Sequence, residues 1–349
     1  MTKFNIFLSV IIISLSSISV QAQQAKYKVQ TVAFYNLENL FDTIRNVDIY
    51  DESFTPSGSY GWDSEKYHNK LENLSTVLTK IGTSSQISAP PAIIGVCEIE
   101  NREVLEDLVS MPKMKKYGYE IVHEHSPDER GIDNGFLYRP EYFEVLSHKT
   151  IFVELPDTTD RTRDILQVHG KLEGEEVYVF VNHWPSRSGG EKISMPNRKA
   201  AAITLRKVLD ELNETDPTAK IFVMGDFNDD PISPSMVDYL NAKKKRSKVK
   251  NNDLFNPYYA LYKKGYGTTA WQDAWSLFDM VVVSNSLLET EETGWRYLKA
   301  GRYNPEFMLQ KSGRFRGYPF RTHAFGTYLN GYSDHFPVFV YVAKKMTEN

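Results

Sequence analysis

The segment 221–229, Ile-Phe-Val-Met-Gly-Asp-Phe-Asn-Asp, ends an apolar run with residues that suit hydrolytic chemistry. Because side chains alternate along a strand, Asp226 and Asn228 point to the same side at the strand's end. A carboxylate and an amide there can hold a hard divalent cation or orient a water molecule. A strand that only packs into a core needs neither group.

The segment 332–337, Tyr-Ser-Asp-His-Phe-Pro, repeats this arrangement near the other end of the chain. It places the carboxylate of Asp334 beside the imidazole of His335, just before the apolar run 336–342. Such an imidazole can exchange a proton near neutral pH or stabilise negative charge. Ordinary polar turns at strand ends are the alternative interpretation of either segment taken alone.

Four other apolar runs carry a polar residue of the same types at one end. These runs add Asn36, Glu98, His183 and Asp279. Each residue alone is weak evidence, but the recurrence is what a site built from several strand ends requires. We therefore predict one hydrolytic site assembled from strand ends.

Taken in chain order, three motifs resemble those of the endonuclease/exonuclease/phosphatase superfamily, which includes DNase I-like nucleases and phosphatases. The motifs are NHW at 182–184, GDFN at 225–228 and SDH at 333–335. The resemblance extends from about residue 31 to residue 341. It implies an α/β fold, a four-layer α/β/β/α sandwich of two packed mixed sheets, with the site at one edge of the sheets.

The resemblance also implies a divalent metal and the residues that bind it. Glu98 is the implied main ligand, helped by Asn36 and Asp334. Oxygen ligands of this kind indicate Mg²⁺ or Mn²⁺, with Ca²⁺ as a further candidate.

The catalytic roles implied by the resemblance fall on five residues. Asp226 orients or deprotonates the attacking water, and Asn228 holds a phosphate oxygen. His183 and His335 flank the scissile phosphate and, when protonated, stabilise its charge. Asp279 hydrogen-bonds His335, which fixes its tautomer and favours its charged form.

Further contacts are predicted in two segments. Asp133, in the loop before the predicted strand 134–138, is the candidate partner of His183. The segment 302–332 interleaves arginine and aromatic residues between glycines, so it either grips phosphate and stacks on a base or forms an ordinary packed loop. The basic run 243–250 is better interpreted as a solvated surface loop. The predicted substrate-binding residues are Asp133, Asn134, Arg139, Arg314, Arg316 and Arg321.

Short runs rich in Val, Ile, Phe and Tyr alternate with helical patterns, which is typical of an α/β protein. The predicted strands are Tyr27–Tyr35, Ala92–Cys97, Tyr119–His123, Asn134–Tyr138, Ile165–Lys171, Glu176–Asn182, Lys220–Met224, Phe278–Ser284 and Phe336–Val342. The predicted helices are Ser64–Gly82, Arg102–Met111 and Pro196–Leu212. Candidate site residues come from both halves of the chain, so we predict one domain over residues 26–345.

The N-terminus has the pattern of a secretory signal peptide, with Lys3, a mostly apolar stretch and small residues up to Ala22. We therefore expect removal of residues 1–22 and export to the periplasm or the medium. The apolar stretch is too short and too rich in serine for a membrane span, and no other segment approaches one. The single cysteine, Cys97, lies in an apolar run and is expected to be a core residue.

Cleavage would remove one of 41 basic residues and none of 45 acidic ones, leaving a net charge of −5. Contacts with a polyanion must therefore be local. We predict a divalent-metal-dependent phosphoesterase that cleaves phosphodiester bonds, with DNA or RNA as the favoured substrate. A phosphatase or phosphodiesterase acting on small or lipid head-group phosphates is the first alternative. A catalytically silent binding protein on the same fold is the second, and no protein partner is indicated.

Overall fold

The computed structural model describes residues 26–289 and 294–346, so the expected signal peptide lies outside the described residues. The strands are β1 (Tyr27–Leu40), β2 (Ile93–Ile99), β3 (Glu120–His123), β4 (Asp133–Tyr138), β5 (Phe143–Ile151), β6 (Ile165–Leu172), β7 (Glu175–His183), β8 (Ile221–Asp226), β9 (Ala242–Lys243), β10 (Leu254–Phe255), β11 (Thr269–Trp271), β12 (Ala274–Ser276), β13 (Asp279–Ser284), β14 (Arg296–Arg302), β15 (His323–Ala324), β16 (Thr327–Tyr328) and β17 (Val338–Lys345). The α-helices are α1 (Ser64–Leu78), α2 (Arg102–Ser110), α3 (Pro112–Lys115), α4 (Glu191–Thr215) and α5 (Tyr259–Tyr262). Shorter helical turns cover Glu52–Phe54, Ser235–Tyr239, Arg246–Lys248, Asn285–Leu288 and Glu306–Met308.

Two large mixed sheets dominate the fold. The six-stranded sheet has the order β14-β17-β1-β2-β4-β3, and the seven-stranded sheet has the order β5-β6-β7-β8-β13-β10-β9. Each sheet has a parallel pair near its centre, β1 with β2 and β7 with β8. Two small hairpins, β11–β12 and β15–β16, stand outside these sheets.

The sheets pack face to face and the longer helices cover their outer faces. One core cluster fills the space between the sheets and beneath α4, with members such as Phe34, Phe180 and Leu205. A second cluster lies between the six-stranded sheet and the layer of α1, α2 and α3, with members such as Leu74 and Leu105. This is the predicted four-layer sandwich. Among the described residues, no helix is long and apolar enough to cross a bilayer.

All nine predicted strands are present, but the sequence does not predict the other eight strands of the described residues, which are β5, β9, β10, β11, β12, β14, β15 and β16. Most of β5 is exposed and its sequence, FEVLSHKTI, mixes polar and apolar residues, so its periodicity is weak. Helix α4 starts at Glu191, before the predicted start at Pro196, and accommodates the proline in its second turn. Cys97 is buried within β2, as expected of a core cysteine.

Candidate active site

The ends of neighbouring strands bring the predicted catalytic residues together at one edge of the sandwich. In the seven-stranded sheet, Asp226 stands opposite His183 in the parallel pair and opposite Asp279 in the antiparallel pair. Asn36 and Glu98 occupy the ends of the parallel pair in the facing sheet. The two sheets meet here, because the Asn36 side chain donates a hydrogen bond to Asp226.

A β-bulge at Glu98 turns its side chain into this edge. The pairing of β2 with β1 and with β4 is interrupted here, and Glu98 has a left-handed backbone with φ 59°. Asn39 and Asn228, each with φ 50°, share this conformation. Bulges and left-handed non-glycine residues cost free energy and concentrate at functional sites. The backbone N–H of Asn39 donates to Glu98 Oε2 at 2.9 Å, so the unusual backbone holds the carboxylate in place.

The glycine of the GDFN motif allows β7 and β8 to approach each other closely. A Cβ atom at Gly225 would lie 2.3 Å from the carbonyl oxygen of Asn182. The Asn182 amide donates to the carbonyl of Met224 at 3.1 Å and accepts a bond from the Trp184 indole at 3.1 Å. Gly225 and Asn182 therefore keep Asp226 beside His183, and neither faces a substrate.

Asn36 links the two carboxylates that face each other across the sandwich. Its Nδ2 donates to Glu98 Oε1 at 3.3 Å and to Asp226 Oδ2 at 3.1 Å. Its Oδ1 accepts a bond from the backbone N–H of Glu38 at 2.9 Å. In this orientation the amide nitrogen of Asn36 faces the carboxylates, and its predicted role as a metal ligand stays a prediction. Asn36 acts here as a donor that positions Glu98 and Asp226.

His335 forms the predicted pair with Asp279. Its Nδ1 lies 2.7 Å from Asp279 Oδ2, and its Nε2 lies 3.8 Å from Asp226 Oδ2. Burial alone would lower the pKa of His335, but the charges of Asp279 and Asp226 outweigh it and raise the pKa well above its usual range. Burial, reinforced by Asp279 and Glu98, raises the pKa of Asp226 to about 7. The pair therefore offers a charged imidazole beside a carboxylate that can accept a proton near neutral pH.

His183 differs from His335 in its charge. Its Nε2 lies 3.8 Å from both Glu98 Oε1 and Asp226 Oδ2. Burial, reinforced by the positive charges of Arg163 and Arg130, lowers its pKa well below the usual range. These surroundings favour the neutral form of His183, so its predicted role as a protonated imidazole stays a prediction.

The structure does not place Asp133, the predicted partner of His183, in contact with that imidazole. The carboxylate of Asp133 accepts bonds from His123, His125 and Ser126 instead. Within the described part of the chain, the buried Nδ1 of His183 has no hydrogen-bond partner.

Asp334 lies in the same cluster and connects it to the segment 320–333. Its Oδ2 accepts a bond from Arg321 Nη2 at 2.7 Å, and its Oδ1 lies 4.0 Å from His335 Nε2. The neighbouring carboxylate of Glu38 lies 3.7 Å from the buried ammonium group of Lys70. Burial and the charge of Asp334 raise the pKa of Glu38 to about 7. This part of the site is therefore crowded with negative charge.

This charge distribution fits the divalent cation that the family resemblance implies. Three cationic side chains, Lys70, Arg321 and charged His335, contact the carboxylates of the cluster. The carboxylates are Glu38, Glu98, Asp226, Asp279 and Asp334. Two negative charges thus lack a counter-ion among these contacts. Carboxylates such as Glu98 and Asp334 supply the oxygen ligands that hard divalent cations prefer.

Asn228 does not point freely into the site. Its Nδ2 donates to the carbonyl of Trp184 at 2.9 Å, and its backbone N–H donates to Asp226 Oδ1 at 2.9 Å. In this conformation Asn228 holds the Asp226 carboxylate and the end of β7. Its predicted contact with a phosphate oxygen would require the amide to leave the Trp184 carbonyl.

Three of the predicted substrate-binding residues are placed elsewhere. Arg139 follows β4 at the opposite end from Asp133, where it stacks on Tyr142 and bonds Glu141. Asn134 is buried and donates to the carbonyl of Asp164 at 2.8 Å. Arg316 is exposed and lies outside the set of residues that line the cavity beside the site. None of the three therefore lines the cavity beside the site, and their substrate roles stay predictions.

Arg314 and Arg321, in contrast, line a cavity of about 480 Å³ that reaches Asp334. Its walls come from the hairpins β11–β12 and β15–β16 and from the segment 310–319. Two of its aromatic side chains are strongly exposed, Trp271 at 69% and Phe325 at 86%. Phe325 also has a left-handed backbone with φ 51°, which is a genuine outlier for a bulky residue.

Sequence reasoning missed several residues that complete this site. Lys70 lies within the helical pattern of α1, and a buried lysine there gives no local signal. Arg163 donates to the carbonyls of His183 and Trp184 and pairs with Asp128, all distant in sequence. Trp271 lies in a turn-rich segment between Gly267 and Asp273, and an aromatic residue in such a segment is a signal of an exposed ring. Its position beside the site depends on tertiary structure.

Carboxylates at strand ends, a charged imidazole and a DNase I-like sandwich define the class of metal-dependent phosphoric ester hydrolases. The chain belongs to the endonuclease/exonuclease/phosphatase family, whose sequence profile matches residues 31–344. None of the curated protein sequences matches the chain.

Solved structures of the same superfamily share the fold at low sequence identity. A family member from Bacteroides thetaiotaomicron is 17% identical with a TM-score of 0.55, and the match covers 92% of this chain and 97% of that one. TDP2 of D. rerio, complexed with a single-strand DNA product, is 13% identical with a TM-score of 0.54, covering 90% and 98%. The mannosyl-6-phosphatase of Bacteroides thetaiotaomicron is 17% identical with a TM-score of 0.52, covering 90% and 99%.

Proposed function

We propose that this protein is a Mg²⁺- or Mn²⁺-dependent phosphodiesterase that cleaves nucleic acid. The observation that carries the proposal is the cavity beside Asp334, whose walls combine exposed aromatic rings with arginine side chains. Exposed aromatic rings stack on bases, and arginine binds phosphate through several donors. A cavity with both features next to a hydrolytic centre suits a nucleotide unit attached to the scissile phosphate.

The aromatic rings are positioned for such stacking. Trp271 and Phe325 stand on two separate hairpins, and both line the cavity. Phe315 stacks against Phe325 with a centroid distance of 5.9 Å, which supports the exposed ring from one side. Holding Phe325 exposed in a left-handed conformation costs free energy that folding alone does not explain.

The arginines add positive charge where a chain of phosphates would pass. Arg314 bonds Asp273 at 3.1 Å and remains largely exposed, while Arg321 is bound to Asp334. The mature chain is acidic overall and both arginines are paired with carboxylates, so a bound polyanion would take the place of these carboxylates on the arginines and would be helped by the metal.

The reaction we propose is direct attack of water on phosphorus. Asp226 accepts a proton from the water as its oxygen bonds to phosphorus, and charged His335 stabilises the negative charge that develops on the phosphate oxygens. The bond from phosphorus to the leaving oxygen breaks, and that oxygen takes up a proton from solvent and departs as an alcohol. Glu98 and Asp334 would hold the metal, which supplies further charge stabilisation when bound. Asn36 and Asp279 keep Asp226 and His335 in position.

A second candidate is a phosphatase acting on small phosphorylated molecules. The observation that favours it is the size of the cavity, about 480 Å³, which lies in the range of small-ligand pockets. Two structural relatives illustrate both chemistries, since one was solved with a DNA product and another is named for a phosphorylated sugar.

Activity assays on the purified chain distinguish these candidates. The substrates are plasmid DNA, single-stranded DNA, RNA, bis-p-nitrophenyl phosphate and p-nitrophenyl phosphate, each with Mg²⁺ or Mn²⁺. We expect cleavage of nucleic acid and of the diester, and loss of both in Asp226→Ala and His335→Ala. Activity on the monoester alone would replace the nuclease proposal with the phosphatase. Full activity of either variant would refute the mechanism.

A second experiment tests the stacking cavity itself. Trp271→Ala and Phe325→Ala should raise KM for single-stranded DNA about tenfold, because stacking on one base contributes on the order of 1–3 kcal/mol. The small diester should be cleaved as before. Phe152→Ala is the matched control, since Phe152 is 53% exposed and does not line the cavity. Equal KM values for all variants would exclude stacking at this cavity.

We also propose that the mature protein is exported after cleavage near Ala22, on the strength of the N-terminal sequence. N-terminal sequencing of the protein recovered from fractionated cells should give a chain that begins at Gln23. Recovery of the uncleaved chain in the cytoplasm would exclude export.

A further inference from the structure

A second group of metal-ligand side chains lies outside the catalytic cluster. Strand β3 ends at His123, the connecting loop 124–132 carries His125, and β4 begins at Asp133. One ligand atom from each of these three residues lies within 4.8 Å of the others. The catalytic residues form a separate group of this kind, Asp226, Asp279 and His335.

The three side chains converge on one oxygen atom. Asp133 Oδ2 lies 2.9 Å from His123 Nε2 and 3.0 Å from His125 Nδ1. A tetrahedral Zn²⁺ with bonds of about 2.0–2.1 Å separates its ligand atoms by about 3.3–3.4 Å. A displacement of a few tenths of an ångström at each imidazole would therefore bring its nitrogen to this distance from Asp133 Oδ2.

The carboxylate is already held in a fixed orientation. Its other oxygen, Oδ1, accepts bonds from the backbone N–H and the hydroxyl of Ser126, at 2.8 and 2.6 Å. Hydrogen bonds of this type around a ligand orient it for a metal. The side chains of His123 and Asp133 are buried, whereas that of His125 is 74% exposed, which leaves one side of the group open to solvent.

We propose that His123, His125 and Asp133 form a binding site for a transition-metal ion of the Zn²⁺ class. Two imidazoles and one carboxylate suit Zn²⁺ better than Mg²⁺, which prefers oxygen ligands alone. The site is distinct from the carboxylate cluster proposed to hold Mg²⁺ or Mn²⁺. Hydrogen bonding alone, without a metal, is the alternative account of the group.

The site would fix a loop that contacts the active site on two sides. Arg130 of this loop donates to Asn39 Oδ1 at 2.6 Å, and Asn39 in turn holds Glu98. Asp128 of the same loop pairs with Arg163 at 2.8 Å, and Arg163 donates to the carbonyl of Trp184 at 2.7 Å. A metal at the base of the loop would therefore stabilise the surroundings of Glu98 and His183 without touching the substrate.

The proposal is tested by titrating the chelator-treated protein with Co²⁺ in a large excess of Mg²⁺. Mg²⁺ occupies the oxygen sites, and binding of Co²⁺ at the imidazoles is followed by its visible absorption. We expect one equivalent of Co²⁺ to bind and Zn²⁺ to displace it. His125→Ala should weaken binding by at least about tenfold, as expected for a disturbed metal site. His68→Ala, which removes an exposed imidazole from α1, should bind as the unaltered protein does.

Thermal unfolding gives a second measurement that does not depend on activity. Zn²⁺ should raise the Tm of the unaltered protein and of His68→Ala, but not that of His125→Ala. Because His125 is exposed, its replacement should leave the fold intact. Unchanged Co²⁺ binding in His125→Ala, or no binding by the unaltered protein, would overturn the proposal. Loss of Co²⁺ binding in Glu98→Gln would also overturn it, because the ion would then sit at the catalytic carboxylates.

Discussion

Replacing Asp279 by asparagine isolates the charge that acts on His335. Asp279 is fully buried, and its Oδ2 lies 2.7 Å from His335 Nδ1. Asparagine keeps the size of the side chain but removes the negative charge and can impose the wrong tautomer. With charge centres about 4 Å apart and an effective dielectric constant of about 20, the lost attraction is about 4 kcal/mol. At about 1.4 kcal/mol per factor of ten, the ratio of charged to neutral His335 falls about 10³-fold.

We therefore expect kcat on bis-p-nitrophenyl phosphate with saturating Mg²⁺ to fall by up to about 10³-fold in Asp279→Asn, with a much smaller change in KM. Asp253→Asn is the matched control. Asp253 is a half-buried aspartate bound by Asn241, and it precedes β10, which pairs with the end of β13 opposite Asp279. The control should keep full activity.

The result that refutes the reasoning is a fall of less than tenfold in Asp279→Asn while its Tm remains that of the unaltered protein. His335 would then not depend on the Asp279 charge. A matching loss in Asp253→Asn would show instead that any removed carboxylate harms the fold. Following the His335 imidazole by NMR checks the cause directly, since its titration should move to lower pH only in Asp279→Asn.

Three further predictions concern charge and stability. Asp226→Asn should abolish activity yet stabilise the metal-free protein by on the order of 1 kcal/mol, because burial, reinforced by the charges of Asp279 and Glu98, disfavours the ionised carboxylate. An unchanged or lower Tm in calorimetry would contradict this. Mg²⁺ at a hundredfold excess over its Kd should stabilise the unaltered protein by about 2.7 kcal/mol, whereas Glu98→Gln should respond little and the surface variant Glu106→Gln normally. Arg198→Ala should cost about 3–5 kcal/mol in urea unfolding, because it leaves the buried carboxylate of Asp229, 2.8 Å from Arg198 Nε, without this partner.

The sequence predicted the parts of the fold and site that depend on a single strand and the residues at its end. An apolar run followed by a polar residue specifies both a buried strand and the position of its last side chains. Asp226, His183 and Asp279 could therefore be placed near one another, and the register of β7, β8 and β13 confirms their neighbourhood. The strand β5 escaped prediction for the opposite reason, since its exposed residues follow no clear period.

Pairings between distant segments could not be predicted in the same way. Asp133 begins β4, which pairs with the strand that carries Glu98, but its side chain points so that its carboxylate contacts His123 and His125. Whether Asn36 donates to the carboxylates or offers its oxygen to a metal depends on the orientation of one amide. Contacts of this kind are set by the tertiary structure, after the strands have been arranged.

The contrast between the two site histidines shows how the fold assigns chemistry that residue type leaves open. His183 and His335 are both buried, and burial lowers the pKa of each. Arg163 adds positive charge beside His183, whereas Asp279 places negative charge against His335 at hydrogen-bond distance. The first therefore remains neutral and the second charged, although Asp226 lies 3.8 Å from both. Because only a charged imidazole can offset the growing charge of a phosphate, the neighbours of each ring decide which of them performs that step.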